Sequence, residues 1–344
     1  MNRIILILSL VVFNVSFCLA EWNFYGSARV STFYSSEDED AGDDADTSWD
    51  LQSNARIGAK VSGDEISGGF EYGTSGGKAN IRKLYGIWKF GAGELLVGQD
   101  YTPLNLFYSC QCYGDDDCLL SYGLLWNSRK PMLQLKFKGL KIAFVKPETS
   151  DLDTGGDVDV TFPKLQIRYH IDLDNFFLDI FGGIQSYKII AEATETTPIV
   201  DDSVNSHVIG FGTGANIGAL TISGSVYSAQ NIRQFPLSTT GAGDAVVTAS
   251  GIEDSSTLSM FAIIAFKIND KIKCEFGTGH VAHKSDVSGT KKDKTFAYYF
   301  NTCITPHDRI FIIPELGLID YKDDSAGISE GKKTYGGIKW QINF

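Results

Sequence analysis

The amino-acid sequence predicts an all-β protein, a transmembrane up-and-down antiparallel β-barrel of about sixteen strands. Three observations predict it: residues alternate with a period of two over long segments, short turns alternate with long polar loops, and glycine (36 residues) and aromatic residues (12%) are abundant. A period of two places alternate side chains on opposite faces of a strand. In a membrane barrel one face meets lipid and the other an aqueous interior.

The alternation is clearest in residues 22–34, 258–268 and 338–344. Within the first of these segments, Phe24 and Tyr34 share a face. A rise of ~3.4 Å per residue and a tilt of ~40° place them about 26 Å apart along the barrel axis, close to the ~25 Å height of an apolar membrane band. A soluble β-sandwich is the alternative, but soluble strands average only about five or six residues.

The connections fall into two classes, and the two classes alternate along the chain. Short turns lie at 63–65, 91–93, 138–139, 172–175, 217–219, 269–270 and 306–308. Long polar loops lie near 36–48, 102–121, 148–158, 191–204, 230–255, 284–294 and 323–333, with a shorter one at 75–79. Eight loops and seven turns imply sixteen strands, with turns at one end of the barrel and loops at the other.

The first twenty residues predict a secretory signal peptide. A positive start at Arg3 precedes an apolar run over residues 4–17, and small residues at Cys18 and Ala20 precede a cleavage site. An uncleaved anchor helix is the alternative, although the run is short for a membrane span. We therefore expect residues 1–20 to be removed and residues 21–344 to form a single domain.

The formal net charge of −12 argues against nucleic-acid binding, which needs lysine and arginine to neutralise phosphates. No catalytic, metal or cofactor motif stands in a suitable context. Residues 73–77 and 327–331 fit G-x-S-x-G, but no helix is predicted to follow either one, as a nucleophile elbow requires. We expect no cofactor, no metal and no enzymatic activity.

Three segments resemble the Gram-negative general porins, the trimeric sixteen-stranded diffusion pores. They are the start at residues 22–29, the hairpin at residues 84–100, and the alternating final strand that ends in an aromatic residue, Phe344. The resemblance implies an outer-membrane location with short periplasmic turns, long extracellular loops, and lipid and lipopolysaccharide as surroundings. It also implies a homotrimer joined through the first five strands, and Phe344 resembles the signal read by the barrel-assembly machinery.

The resemblance also implies that residues 101–121 bend inward and narrow the lumen. This loop contains three aspartates, and the parity of several basic residues predicts that their side chains face the lumen. Opposed charges in a narrow section would filter ions and dipolar solutes; the alternative is a solvated loop tip with scattered lumen bases. The candidate residues are Asp115, Asp116, Asp117, Arg29, Arg56, Lys60 and Lys136, while the phase of Arg82 and Lys83 is ambiguous.

Cys110, Cys112 and Cys118 lie in the same loop. An exported protein permits disulfides, and Cys112–Cys118 or Cys110–Cys118 is easier to form than a bridge between Cys110 and Cys112. Metal binding is the alternative, although the spacing is not that of a usual zinc site. A second open question is the acidic stretch at residues 37–46, which predicts either a solvated loop or a site for divalent cations near lipopolysaccharide.

The sequence therefore predicts a porin for passive diffusion of ions and small hydrophilic solutes, with a mild preference for cations. The alternatives are a non-conducting adhesin or structural barrel that acts through its loops and, less favoured, an outer-membrane barrel enzyme.

Overall fold

The structure is a computed structural model that describes residues 21–39, 42–160, 162–192 and 200–344. The predicted signal peptide, residues 1–20, lies outside the described residues. Within them the chain forms twenty β-strands, one short α-helix and one turn of 3-10 helix (Ser75–Gly77). No helix in these ranges is long and apolar enough to cross a membrane.

The strands and the helix follow in chain order. They are β1 (Glu21–Glu39), β2 (Gly42–Leu51), β3 (Arg56–Ser62), β4 (Ile66–Gly73), β5 (Asn80–Phe90), β6 (Gly93–Tyr101), α1 (Tyr113–Asp116), β7 (Arg129–Phe137), β8 (Leu140–Val145), β9 (Asp157–Asp159), β10 (Lys164–Leu173), β11 (Phe176–Ala191), β12 (Val200–Ile217), β13 (Leu220–Gln230), β14 (Val246–Thr248), β15 (Gly251–Glu253), β16 (Ser255–Asn269), β17 (Ile272–Ser285), β18 (Lys292–His307), β19 (Ile310–Asp320) and β20 (Lys332–Asn343).

These strands build a closed antiparallel barrel of sixteen strands, as the sequence predicts. β2 and β3 pair with the two halves of β1 and so form one interrupted barrel strand. β9 continues the line of β10 along β11, and β14 and β15 form a separate hairpin. β20 pairs with β1, which closes the barrel.

The outward face carries apolar side chains, as the alternation predicts. On β16, Ile264 and Phe266 are about half exposed, whereas Phe261 and Ile263 on the opposite face are buried. The sequence predicts that the inward face of β16 is exposed to water in the lumen, whereas in the structure this face is buried. Two loops fold into the barrel and cover this part of the inner wall.

The first predicted loop, near residues 36–48, is mostly strand. β1 continues to Glu39 and β2 begins at Gly42, so the two strands form a long hairpin. β20 runs beside β1 here and brings Lys333 into an ion pair with Glu37. In the sequence alone, repulsion between the acidic side chains of this segment favours a loop. In the structure, lysine on the neighbouring strand β20 partly offsets this repulsion, so the segment can form paired strands. The structure describes no metal-binding group of His, Cys, Asp and Glu in the ranges given above.

The barrel wall is uneven in height. The strands from β3 to β8 have 6 to 11 residues, whereas β11, β12, β16, β17 and β18 have 14 to 18. At ~3.4 Å per residue and ~40° tilt, nine residues span about 23 Å and sixteen about 42 Å. One side of the barrel is therefore barely as tall as the ~25 Å apolar band of a membrane.

Candidate functional site: a charged cavity inside the barrel

The segment between β6 and β7, residues 102–128, folds into the barrel; we call it the inner loop. Six of its leucines are buried: Leu104, Leu106, Leu119, Leu120, Leu124 and Leu125. They form one apolar cluster with inward-facing side chains of the wall, among them Phe261, Tyr299 and Tyr335. Burying apolar side chains in this way stabilises the inward position of the loop.

Two buried glutamates on the wall hold the backbone of the inner loop. Glu275 on β17 accepts a hydrogen bond from the amide of Cys110 at 2.6 Å. Glu315 on β19 accepts bonds from the amides of Cys112 at 2.6 Å and Tyr113 at 2.9 Å. Hydrogen bonds to charged groups are the stronger class, so these carboxylates fix the height of the loop in the lumen.

The acidic tip of the inner loop crosses to the opposite wall. Asp116 accepts hydrogen bonds from Arg29 on β1 at 2.7 Å and from Lys339 on β20 at 2.8 Å. It also accepts one from the amide side chain of Asn54 at 2.9 Å. Asp115 accepts a bond from the backbone amide of Ser53 at 3.2 Å. The break between β2 and β3 makes these contacts possible, because it frees Ser53 and Asn54 from strand pairing.

Asp117 is turned back into its own loop. Its carboxylate accepts hydrogen bonds from the hydroxyl of Ser121 at 2.8 Å and from the amide of Ser121 at 3.3 Å. Burial raises the pKa of the Asp117 carboxyl above its ordinary value, against the opposing effect of these hydrogen bonds. Asp117 therefore bonds within its own loop, whereas Asp115 and Asp116 contact the barrel wall.

Four arginines line the same cavity as the three aspartates. The cavity has a volume of about 520 Å³, and we call it the charged cavity; its basic lining residues are Arg29, Arg56, Arg82 and Arg129. Glu71 pairs with Arg82 at 2.7 Å and with Arg56 at 3.6 Å. These contacts hold the guanidinium groups of Arg56 on β3 and Arg82 on β5 against Glu71 on β4, the strand between them.

Arg129 differs from the other three arginines. No carboxylate of the described residues lies within 4.0 Å of its guanidinium group. Its neighbours are aromatic: the guanidinium carbon lies 5.3 Å from the ring centre of Tyr101 and 5.6 Å from that of Trp126. Stacking on aromatic rings orients a guanidinium without neutralising it.

A second cavity, of about 570 Å³, lies toward the long-loop end between β1, β2 and the inner loop. It shares Ser53, Gly114 and Asp115 with the charged cavity. The two cavities therefore adjoin each other along one side of the barrel.

The structure brings five of the seven predicted charged residues together. Arg29, Arg56 and the three aspartates line the charged cavity, whereas Lys60 and Lys136 do not. Lys60 lies over the ring of Tyr25 at 5.6 Å, and Lys136 pairs with Glu94 at 3.2 Å. Lys60 lies three residues and Lys136 two residues before a short turn, so both lie nearer the barrel end than the inner loop does.

Sequence reasoning missed Arg129 and left Arg82 undecided. A register shift between Glu71 and Tyr72 in the pairing of β4 with β5 accounts for Arg82, because it changes the local phase of the strand. Arg129 begins β7, so no preceding alternation reveals its direction.

A second segment also folds inward, which the sequence does not predict. Residues 231–245, expected as part of an external polar loop at 230–255, fold into the barrel; we call them the brace loop. Ile232 and Phe235 are fully buried. The backbone amide of Ser238 donates to Trp126 at 2.9 Å, and that of Thr240 donates to Ser121 at 3.1 Å. The brace loop therefore supports the inner loop from the long-loop side.

The wall holds the brace loop by buried polar side chains. Lys164 on β10 has no exposed side-chain surface, and its ammonium donates to the carbonyl of Phe235 at 3.1 Å. Asp293 on β18 accepts a bond from the amide of Ala242 at 2.6 Å. Together the two inward loops fill the tall side of the barrel and leave the charged cavity on the low side.

The three cysteines of the inner loop are free thiols in the structure. The thiol of Cys112 donates to the carbonyl of Cys110, and that of Cys118 to the carbonyl of Gln111. Burial raises the pKa of Cys112 and Cys118 well above the ordinary value of a thiol, so both are protonated at neutral pH. The pairings Cys112–Cys118 and Cys110–Cys118 stay predictions.

Phe344 takes part in closing the barrel. Its amide and carbonyl exchange two hydrogen bonds with Gly26 on β1, at 3.0 and 2.8 Å. A side chain at Gly26 would collide with the Phe344 ring, since a Cβ there would lie 2.3 Å from it. Phe344 as a whole is 62% exposed.

Comparisons with solved structures identify the fold. The outer-membrane channel DcaP of Acinetobacter baumannii superposes with a TM-score of 0.74 at 16% identity, covering 94% of this chain and 97% of that one. The anion-selective porin of Comamonas acidovorans gives 0.63 at 12% identity, covering 94% and 100%. Salmonella typhi OmpF gives 0.62 at 11% identity, covering 94% and 98%.

The chain has the fold of the outer-membrane porins. No protein-family model matches the sequence. No curated protein matches it either. The likeness to porins is therefore a likeness of fold, since the identities are low.

Proposed function

We propose that this protein is an outer-membrane porin that lets small hydrophilic solutes and ions diffuse passively. The observation that carries the proposal is the charged cavity, which lies inside a closed barrel between an inward loop and a wall of arginines. Opposed fixed charges between low-dielectric walls orient and filter charged solutes. The adjoining second cavity supports a polar path past the tip of the inner loop.

We further propose a mild preference for anions, opposite to the expectation from sequence. Four arginines face three aspartates in the charged cavity, and the carboxylate of Asp117 is turned back onto Ser121 of its own loop. The net charge of −12 is spread over the whole chain. Beyond a Debye length of ~8 Å such charges are largely screened, so the charges lining the cavity dominate.

The proposal includes a homotrimer whose contact involves the first five barrel strands. Most of these strands belong to the low side, which is barely as tall as an apolar membrane band. Contact with neighbouring subunits would cover this side, and the tall side would face lipid. Membrane insertion through the barrel-assembly machinery, with recognition of Phe344, belongs to the same proposal.

Single-channel recording in a planar bilayer tests the proposal. Purified trimeric protein should give stepwise current increases of uniform size, and the reversal potential in a salt gradient should show the ion preference. A barrel that binds lipid bilayers but gives no steps would be a non-conducting adhesin or scaffold. Absence of steps together with hydrolysis of an ester or peptide substrate would instead indicate a barrel enzyme.

A further inference from the structure

Four lysines lie together at the long-loop end of the tall side of the barrel. They are Lys284 on β17, Lys292 and Lys294 on β18, and Lys322 just after β19. Lys284 and Lys292 are directly opposite each other in the register of β17 and β18, and Lys294 lies opposite Ala282. We call these four residues the lysine patch.

The lysine patch faces outward. On β18, Lys292 and Lys294 are exposed and share a face with Tyr298 and Phe300. The alternate residues Asp293, Thr295, Ala297 and Tyr299 are buried inside the barrel. The period of two therefore places the two lysines on the same outer surface as the exposed aromatic side chains below them.

The positive charge of the patch is poorly compensated within the protein. Lys322 pairs with Asp320. Lys284 donates to the carbonyl and the hydroxyl of Thr290, at 2.5 and 3.1 Å. In the described part of the chain, no carboxylate lies within 4.0 Å of Lys284, Lys292 or Lys294. Like charges directly opposite each other in a sheet are destabilising, so an external anion between Lys284 and Lys292 would relieve a repulsion.

The surface beneath the patch is aromatic and then aliphatic. The ring of His280 stacks on Phe296 with centres 4.1 Å apart, and the ammonium of Lys322 lies 5.9 Å from the Phe296 ring centre. Further down the same face, Phe276, Phe300 and Leu316 are 43–61% exposed. Ammonium groups above aromatic rings above an apolar surface complement a molecule with an anionic head and acyl chains.

We propose that the lysine patch is a binding site for the phosphorylated headgroup of an outer-leaflet glycolipid, that is, the phosphates of lipopolysaccharide. The inference rests on the proposed outer-membrane location, which places the long loops and the patch at the outer leaflet. A free phosphate would use only the lysines, whereas the aromatic and aliphatic surface below them fits the acyl chains of a lipid.

Lipid binding to the purified, detergent-solubilised protein tests this. The probes are lipid A with both glucosamine phosphates and the same lipid A after enzymatic dephosphorylation, with affinities measured by native mass spectrometry. The double variant Lys292→Gln/Lys294→Gln should bind the phosphorylated lipid roughly 30-fold more weakly, since each lysine near an anionic lipid surface contributes about one kcal/mol. The dephosphorylated lipid should bind weakly to both proteins.

A matched control is Lys267→Gln/Lys271→Gln, which removes the same charge at a short turn at the other end of the barrel, where Lys267 pairs with Asp270 at 2.7 Å. This variant should bind lipid A as the wild type does. The proposal would be overturned if the patch variant bound lipid A as tightly as the wild type does. It would also be overturned if the control variant lost as much affinity as the patch variant, or if the phosphorylated and dephosphorylated lipids bound equally well. The conductance of the patch variant separates this outcome from failure of the porin proposal, because no patch residue lines the charged cavity.

Discussion

At the scale of single residues, the charges of the cavity differ in how far their neighbours compensate them. Asp116 is compensated by Arg29 and Lys339, and Arg82 by Glu71. Arg129 has aromatic neighbours, and no carboxylate of the described residues lies within 4.0 Å of its guanidinium group. A sequence lists all these charges as equal, whereas in the folded barrel Arg129 contributes the least compensated charge of the charged cavity.

We expect Arg129→Gln to shift ion selectivity toward cations. In water, a unit charge about 6 Å from a passing ion changes its energy by ~0.7 kcal/mol, or roughly threefold in local concentration. The permeability ratio of chloride to potassium, taken from the reversal potential, should therefore fall by about threefold. Lys136→Gln is the control, because Lys136 pairs with Glu94 away from the cavity; an equal shift there would show that the position of the charge is irrelevant.

Neutralising the aspartates should have the opposite effect. Replacing Asp115, Asp116 and Asp117 by asparagine removes the acidic side of the charged cavity, so the reversal potential should shift toward anions. Asp115→Asn alone should account for much of the shift, since Asp115 is exposed and pairs with no basic side chain in the described residues. An unchanged reversal potential in the triple variant would remove the proposed constriction, though not the barrel.

At the scale of elements, the strands follow from the sequence and the inner contacts do not. The alternation of apolar and polar residues predicts β1, β16 and β20, because every second residue of these strands lies on the outer face of the barrel. The brace loop escaped prediction because its buried residues Ile232, Phe235 and Leu237 are isolated among polar ones and show no period. Likewise, the residues that bond to the break between β2 and β3 belong to the tip of the inner loop, which lies more than fifty residues away in the chain.

Phe235 is the apolar anchor of the brace loop, so Phe235→Ala should loosen both inward loops. Truncating a fully buried phenylalanine costs roughly 3–5 kcal/mol. We expect larger fluctuations of the open-channel current, because the inner loop loses support next to the charged cavity. Phe162→Ala is a matched control, since Phe162 is 55% exposed. Current noise that stays at the wild-type level in Phe235→Ala would show that the brace loop does not restrain the inner loop.

At the scale of the whole molecule, closure depends on the chain ends. β20 pairs with β1 along twelve residues, and Phe344 adds two backbone hydrogen bonds to Gly26. The sequence predicts this closure through the matching alternation at both ends. It does not predict the uneven wall or the filled half of the lumen, because both arise from packing between distant segments.

Deleting Phe344 should reduce assembly in cells far more than refolding in detergent. The barrel keeps its remaining pairing of β20 with β1, whereas the exposed ring that we propose the assembly machinery recognises is lost. Heat-modifiable mobility on gels, measured for outer-membrane fractions and for refolded protein, separates the two effects. Phe344→Tyr retains an aromatic end and should assemble normally. Wild-type levels of the deletion variant in the membrane would contradict the role of Phe344.

The anchors of the inner loop also set a sequence of events during folding. The amides of Cys110 and Cys112 bond to carboxylates 165 and 203 residues further along the chain. Bringing such distant segments together is entropically costly and slow, so these contacts form late. We therefore expect a folding stage with complete walls and an undocked inner loop, so the charged cavity forms last.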